Sequence, residues 1–68
     1  MIIELNGRTA ELPNGATVID AVKETGVDGG TRGVAVAVDG EVIRRADWGN
    51  TKLENDQIVE VVRAVQGG

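Results

Sequence analysis

Alternating apolar and polar positions at the start of the chain predict a β-hairpin. Ile3 and Leu5 fall on one face of a first strand, and the polar Glu4 lies between them. Asn6-Gly7 follows, a pair typical of type I′ hairpin turns because both residues tolerate positive φ. Residues 8–12 then return as a second strand, which Pro13 ends because proline has no N–H to donate.

The next apolar positions are spaced three and four residues apart, as on one face of a helix: Val18, Ala21 and Val22. Thr17 precedes them as the predicted N-cap, with Asp20 as its capping-box partner. Gly26 is placed to end the helix in a left-handed conformation. A helix this short requires packing on another element, so we expect it to lie on a sheet.

Strand periodicity returns in the second half of the chain. Residues 34–38 alternate valine and alanine, and Asp39-Gly40 predicts a second hairpin turn. Three glycines in residues 28–33 predict a crossover loop before this hairpin. Residues 57–65 form the predicted last strand, and their apolar positions fall on both faces, which favours a central place in the sheet.

Two large apolar residues lie between these strands. Leu53 is predicted to be buried ahead of the final turn. Trp48 is interpreted as a core residue, because lone aromatic residues usually fill the core of a small domain. Direct contact between Trp48 and a partner protein is the alternative.

The order of elements predicts an α+β fold: a mixed sheet of four to five strands packed on one short helix. If the last strand lies beside the first, the arrangement is a ubiquitin-like β-grasp. One short helix covers one face of the sheet, so the other face stays bare. We assign residues 1–65 to this domain and residues 66–68 to a flexible C-terminal tail.

Composition argues against catalysis by this chain alone. Cysteine and histidine are both absent, which removes the thiolate nucleophile, the usual general base and the commonest metal ligands. We therefore predict no catalytic residues and no metal site. The net charge of −4 argues against nucleic acid and membrane as partners. The first residues lack the features of a signal peptide, so a cytoplasmic location is expected.

The candidate functional residues are the last three: Gln66, Gly67 and Gly68. They follow the last predicted strand closely. Because glycine has no Cβ, Gly67 and Gly68 can enter a channel too narrow for a side chain. The reactive group would be the terminal carboxylate of Gly68, which is ionised at neutral pH and needs activation by another protein.

Several segments together resemble the ThiS family of small sulfur carriers in thiamin biosynthesis, and the similarity spans the whole chain. The segments are Leu5-Asn6-Gly7, Thr17-Val18, residues 34–40, residues 42–48 ending in Trp48, residues 55–62 and Gly67-Gly68. Two positions depart from the family pattern. Asn55 stands where a turn glycine is common, and asparagine also tolerates the left-handed conformation. Gln66 replaces a frequent third glycine.

The resemblance implies a carrier cycle in which this chain is a substrate. A ThiF-type adenylating enzyme would use ATP and Mg to adenylate Gly68, while the carrier itself binds no cofactor. A cysteine desulfurase or another sulfur donor would supply sulfur for a thiocarboxylate. A ThiG-type thiazole synthase would then take that sulfur. The alternatives are a carrier of the molybdopterin or cysteine type, a ubiquitin-like protein modifier, and a plain interaction module.

Overall fold

A computed structural model describes residues 1–26 and 33–63. The described elements follow the predicted order: β1 (Ile2–Leu5), β2 (Arg8–Glu11), α1 (Val18–Glu24), β3 (Val34–Val38), β4 (Glu41–Ile43), a 3₁₀ turn (Arg45–Asp47) and β5 (Ile58–Arg63). Most of the predicted crossover loop and the whole predicted tail lie outside the described residues.

The strands form one five-stranded sheet in the order β2-β1-β5-β3-β4. β1 and β5 are parallel, whereas the β1–β2, β3–β4 and β3–β5 pairs are antiparallel. The last strand therefore lies beside the first, in the centre of the sheet. This arrangement confirms the predicted α+β, ubiquitin-like β-grasp fold.

Both predicted hairpin turns are confirmed by their backbone angles. Asn6 and Gly7 have φ values of 52° and 80°, and Asp39 and Gly40 have values of 49° and 85°. Positive φ at both central residues is what a type I′ turn requires, and its twist matches that of the flanking strands. Local turn chemistry thus sets the register of both hairpins.

Helix α1 begins and ends where its capping residues predict. The backbone N–H of Thr17 donates to the Asp20 carboxylate over 2.8 Å, which satisfies a donor at the N-terminus. Gly26 has a φ of 82° just beyond the C-terminus. The side chains of Val18, Ala21 and Val22 are buried, which confirms the predicted apolar face.

The core lies between α1 and one face of the sheet, and Trp48 belongs to it. This side chain is 2% exposed, and its indole Nε1–H donates to the carbonyl of Ile43 over 2.9 Å. The alternative that the ring contacts a partner is therefore wrong. Leu53 is also buried, as predicted.

Ile58 and Val62 lie on the face of β5 that points away from the core. They are 47% and 60% exposed because no element covers this face within the described residues, which agrees with the predicted bare face of the sheet. In the final turn the left-handed residue is Asp56, with a φ of 70°, and not Asn55. Asn55 acts instead through its side-chain oxygen, which accepts the Ile2 N–H over 2.7 Å.

Candidate functional site

The described part of the candidate site is β5, the strand that leads toward Gln66, Gly67 and Gly68. These three predicted site residues lie outside the described residues, as do Ala64 and Val65. The structure therefore shows how the base of the predicted tail is held, up to Arg63. Three contacts define that base: the core, strand β3 and the first hairpin.

The core and β3 anchor β5 along its length. Val59 is fully buried beneath α1, and Val61 is half-buried against the same core. Pairing with β3 runs from Val38↔Val59 to Val34↔Arg63, so it continues to the last described residue of the strand. Consequently, one edge of β5 is supported up to Arg63.

The opposite edge of β5 loses its neighbouring strand earlier. Pairing with β1 ends at Leu5↔Val59, because the chain turns away at Asn6-Gly7. The backbone N–H of Asn6 still donates to the Val59 carbonyl over 2.9 Å. Beyond this point, no residue of β1 pairs with β5.

The side chain of Asn6 continues the hydrogen bonding where β1 stops. Its Oδ1 accepts the Val61 N–H over 2.8 Å, and its Nδ2 donates to the Val61 carbonyl over 3.3 Å. A carboxamide has the same donor and acceptor as a peptide group, so it can replace one peptide of a strand. From the sequence, Asn6 is predicted to form the turn alone, since the Asn-Gly pair gives no sign of a side-chain contact with the last strand.

The bare face of the sheet carries apolar side chains close to the end of β5. Val42 and Val62 are 72% and 60% exposed, and the small side chain of Ala35 lies exposed on the strand between them. Glu4 and Glu60 are exposed on the same face. We call Val42, Val62 and Ala35 the outer patch. It is apolar, with acidic residues beside it.

Residues 1–26 and 33–63 contain no cluster of acidic side chains suited to a metal ion, and no buried polar or charged side chain. Helix α1, the α-helix of this part of the chain, lacks the length and hydropathy needed to cross a bilayer. The distinctive feature is therefore the way in which β5 is held.

Comparison with known proteins decides the family. The model of the ThiS family matches residues 2–68, nearly the whole chain. The chain belongs to the ThiS family. The resemblance found in its sequence is thereby confirmed, and the match includes the predicted tail residues.

A solved structure supports the same conclusion about the fold of this ThiS-family chain. The thiamine biosynthesis protein (ThiS) from Geobacter metallireducens superposes with a TM-score of 0.79. The two sequences are 23% identical, and the alignment covers 100% of each chain. No curated protein sequence matches this chain significantly. Membership of the ThiS family supports a small sulfur carrier of thiamin biosynthesis, not a catalyst in itself, and the solved structure supports the fold.

Proposed function

We propose that this chain is a sulfur carrier whose Gly68 carboxylate is adenylated and then converted to a thiocarboxylate that donates sulfur for thiazole formation in thiamin biosynthesis. One observation carries the proposal beyond family membership. The central strand of the sheet, anchored on both edges, runs directly toward Gln66-Gly67-Gly68. A strand held on both edges and followed within five residues by two glycines suits a chain that presents its end to other proteins.

The chemistry takes place at the terminal carboxyl group. An oxygen of the Gly68 carboxylate attacks the α-phosphorus of ATP, pyrophosphate leaves, and an acyl adenylate is formed. The terminal sulfur of a cysteine persulfide on the donor then attacks the acyl carbon and expels AMP. A thiol breaks the resulting sulfur–sulfur bond and is itself oxidised to a disulfide. The thiocarboxylate remains on Gly68.

The composition of the chain suits this cycle. With no cysteine in the sequence, no internal thiolate can capture the acyl adenylate or exchange with the persulfide. ATP and Mg act in the site of a ThiF-type adenylating enzyme, and a ThiG-type thiazole synthase takes the sulfur. A cysteine desulfurase or another donor provides the persulfide. We place the cycle in the cytoplasm, with neither nucleic acid nor membrane as a partner.

The outer patch is the proposed docking surface for the adenylating enzyme. Val62 belongs both to this patch and to β5, so a partner that holds Val62 also sets the starting point of the tail. Six residues separate Val62 from Gly68, and that length of chain spans at most about 20 Å. The adenylation site must therefore lie within about 20 Å of the patch. Glu4, Glu60 and the net charge of −4 favour a basic rim on the partner.

Tail variants test the proposal through ATP-dependent release of pyrophosphate by the adenylating enzyme. Deletion of Gly68 is expected to abolish thiocarboxylate formation, since the remaining carboxylate ends one residue short of the reaction centre. Gly67→Val is expected to block insertion of the tail, because its side chain does not fit a channel shaped for glycine. Neither change touches the described core, so urea unfolding should match that of the wild-type chain. Normal sulfur transfer by either variant contradicts the scheme.

The other candidate functions give different products in a mixture of chain, adenylating enzyme, ATP and sulfur donor. A protein modifier forms isopeptide bonds, which appear as ladders on other proteins. An interaction module stays unchanged. A carrier for a molybdopterin or cysteine pathway acquires sulfur but does not support thiazole formation, so addition of thiazole synthase separates it from a thiamin carrier.

A further inference from the structure

We propose that Asn6 is a positioning residue for the adenylation reaction: its side chain clamps Val61 and thereby sets the direction in which the chain leaves the sheet. This role rests on the proposed function. The observation behind it is the pair of opposed hydrogen bonds between one side-chain amide and one backbone residue, Val61 N–H to Oδ1 at 2.8 Å and Nδ2 to the Val61 carbonyl at 3.3 Å. Together they fix the position of Val61 and the orientation of the two peptide groups that flank it.

The location of the clamp matters because β5 is least supported there. Strand pairing with β1 has ended two residues earlier, at Val59. On the helix side lies an open depression of about 290 Å³, lined by Asn6, Thr25, Gly26, Val61 and Arg63. Among residues 1–26 and 33–63, no side chain fills this space beside Val61. Removal of the Asn6 amide leaves Val61, Val62 and Arg63 held mainly by their pairing with β3.

Control of the exit direction affects insertion of the tail more than docking. The outer patch includes Val62 but not Asn6, so a partner can bind the sheet face whether or not the clamp is closed. Once the chain is bound, a fixed exit direction reduces the number of conformations that the tail must search before Gly68 reaches ATP. Loss of the clamp should therefore lower kcat for adenylation and leave binding to the adenylating enzyme largely unchanged.

The second hairpin offers a matched control. Asp39 occupies the same place in its turn as Asn6, with a φ of 49° against 52°. Its side chain also bonds to β5, since Oδ1 accepts the Ile58 N–H over 2.9 Å. That bond lies at the start of the strand, away from the tail. Glycine tolerates positive φ, so both substitutions preserve the turn. Asn6→Gly deletes the two side-chain hydrogen bonds to Val61, and Asp39→Gly deletes the single one to Ile58.

The experiment compares adenylation by the enzyme with wild-type chain, Asn6→Gly and Asp39→Gly, at a temperature where all three are folded. We expect Asn6→Gly to lower kcat about fivefold or more, with the Kd of the complex measured without ATP changed less than about twofold. Asp39→Gly should retain the wild-type kcat. Equal kcat for Asn6→Gly and wild type, or equal losses in the two glycine variants, overturns the positioning role.

Amide hydrogen exchange on the free chain tests the clamp independently of any enzyme. Asn6→Gly should speed exchange of the Val61 N–H but not the Ile58 N–H, and Asp39→Gly should do the reverse. Asn6→Asp provides a second variant. Aspartate is compatible with the turn and keeps an acceptor for the Val61 N–H, but it cannot donate to the Val61 carbonyl. We therefore expect a kcat between those of the wild-type chain and Asn6→Gly.

The two proposals fail in different ways. If the wild-type chain is not adenylated, the carrier function is contradicted. Amide hydrogen exchange at Val61 still tests the clamp separately. Unchanged exchange at Val61 in Asn6→Gly overturns the clamp even when the wild-type chain is fully active.

Discussion

Two valines on β5 test whether the core lies only on the face of the sheet that α1 covers. Val59 is fully buried beneath α1, whereas Val62 is 60% exposed on the bare face of the sheet. The substitutions Val59→Ala and Val62→Ala remove the same two methyl groups from the same strand. The change in strand propensity is therefore similar in both variants. The difference between their free energies of unfolding therefore measures the effect of burying the valine side chain.

The magnitudes follow from the exposed fractions. Each buried methyl contributes about 0.8 kcal/mol, so Val59→Ala loses about 1.6 kcal/mol of transfer free energy. A residual cavity raises the loss to about 2–3 kcal/mol. Val62 buries two fifths of its side chain, so its loss is about 0.6 kcal/mol. A domain of this length has a total stability of about 3–10 kcal/mol, so Val59→Ala alone can remove much of it.

Urea denaturation followed by Trp48 fluorescence measures both variants. This tryptophan is the sole one in the sequence and is buried in the same core as Val59, so its emission reports on that core. In thermal unfolding the difference of about 2 kcal/mol corresponds to a gap in Tm of about 8–16 °C. If the two substitutions lower the free energy of unfolding equally within about 0.5 kcal/mol, or if Val62→Ala lowers it more, the core is not confined to the helix side of the sheet.

Val59→Ala and Val62→Ala also distinguish effects on fold stability from effects on binding to the adenylating enzyme. Val62→Ala should weaken binding to the adenylating enzyme while it leaves the fold nearly as stable as wild type. Val59→Ala should bind normally at temperatures where it remains folded, because its side chain does not reach the outer patch. Normal binding by Val62→Ala would place the docking surface elsewhere.

Three further predictions concern stability and are measured by urea or thermal unfolding. Asp20→Ala removes the carboxylate that accepts the Thr17 N–H at the start of α1 and should cost about 1 kcal/mol; no loss would mean that the capping contact is not stabilising. Gly26→Ala should cost about 1–2 kcal/mol through the backbone alone, since φ is +82° and an added Cβ meets nothing within 4 Å; an unchanged Tm would contradict this. Trp48→Phe deletes the indole donor to the Ile43 carbonyl and should lower the free energy of unfolding by about 1–3 kcal/mol, with unfolding monitored by circular dichroism. An unchanged stability would show that another donor replaces the indole.

The parts of the fold that depend on local chemistry were predictable from the sequence. Asn6-Gly7 and Asp39-Gly40 determine their own turns, because few other residue pairs adopt positive φ at both positions. The capping pair Thr17 and Asp20 likewise acts within one turn of helix. The family pattern of the terminal glycines pointed to the carrier role, which the family match supports.

The remaining features depend on what lies beside each residue in space. Apolar residues on both faces of β5 indicated its central position, and the single short helix predicted one bare face of the sheet, but the sequence did not show that Ile58 and Val62 lie on that face. In the final turn both Asn55 and Asp56 tolerate the left-handed conformation, and the sequence alone does not show that Asp56 adopts it while the Asn55 side chain bonds to Ile2. The second role of Asn6 requires β5 to lie next to the first hairpin, a contact between residues 55 positions apart.

The intact mass of the chain after incubation with a ThiF-type adenylating enzyme, Mg-ATP, a persulfide donor and a thiol reductant tests the central claim most directly. Replacement of one oxygen by one sulfur, localised by fragmentation to Gly68 and absent without ATP, is the predicted result. An unchanged mass in the presence of an enzyme that charges another ThiS-family chain would contradict the account, as would sulfur found at any other residue.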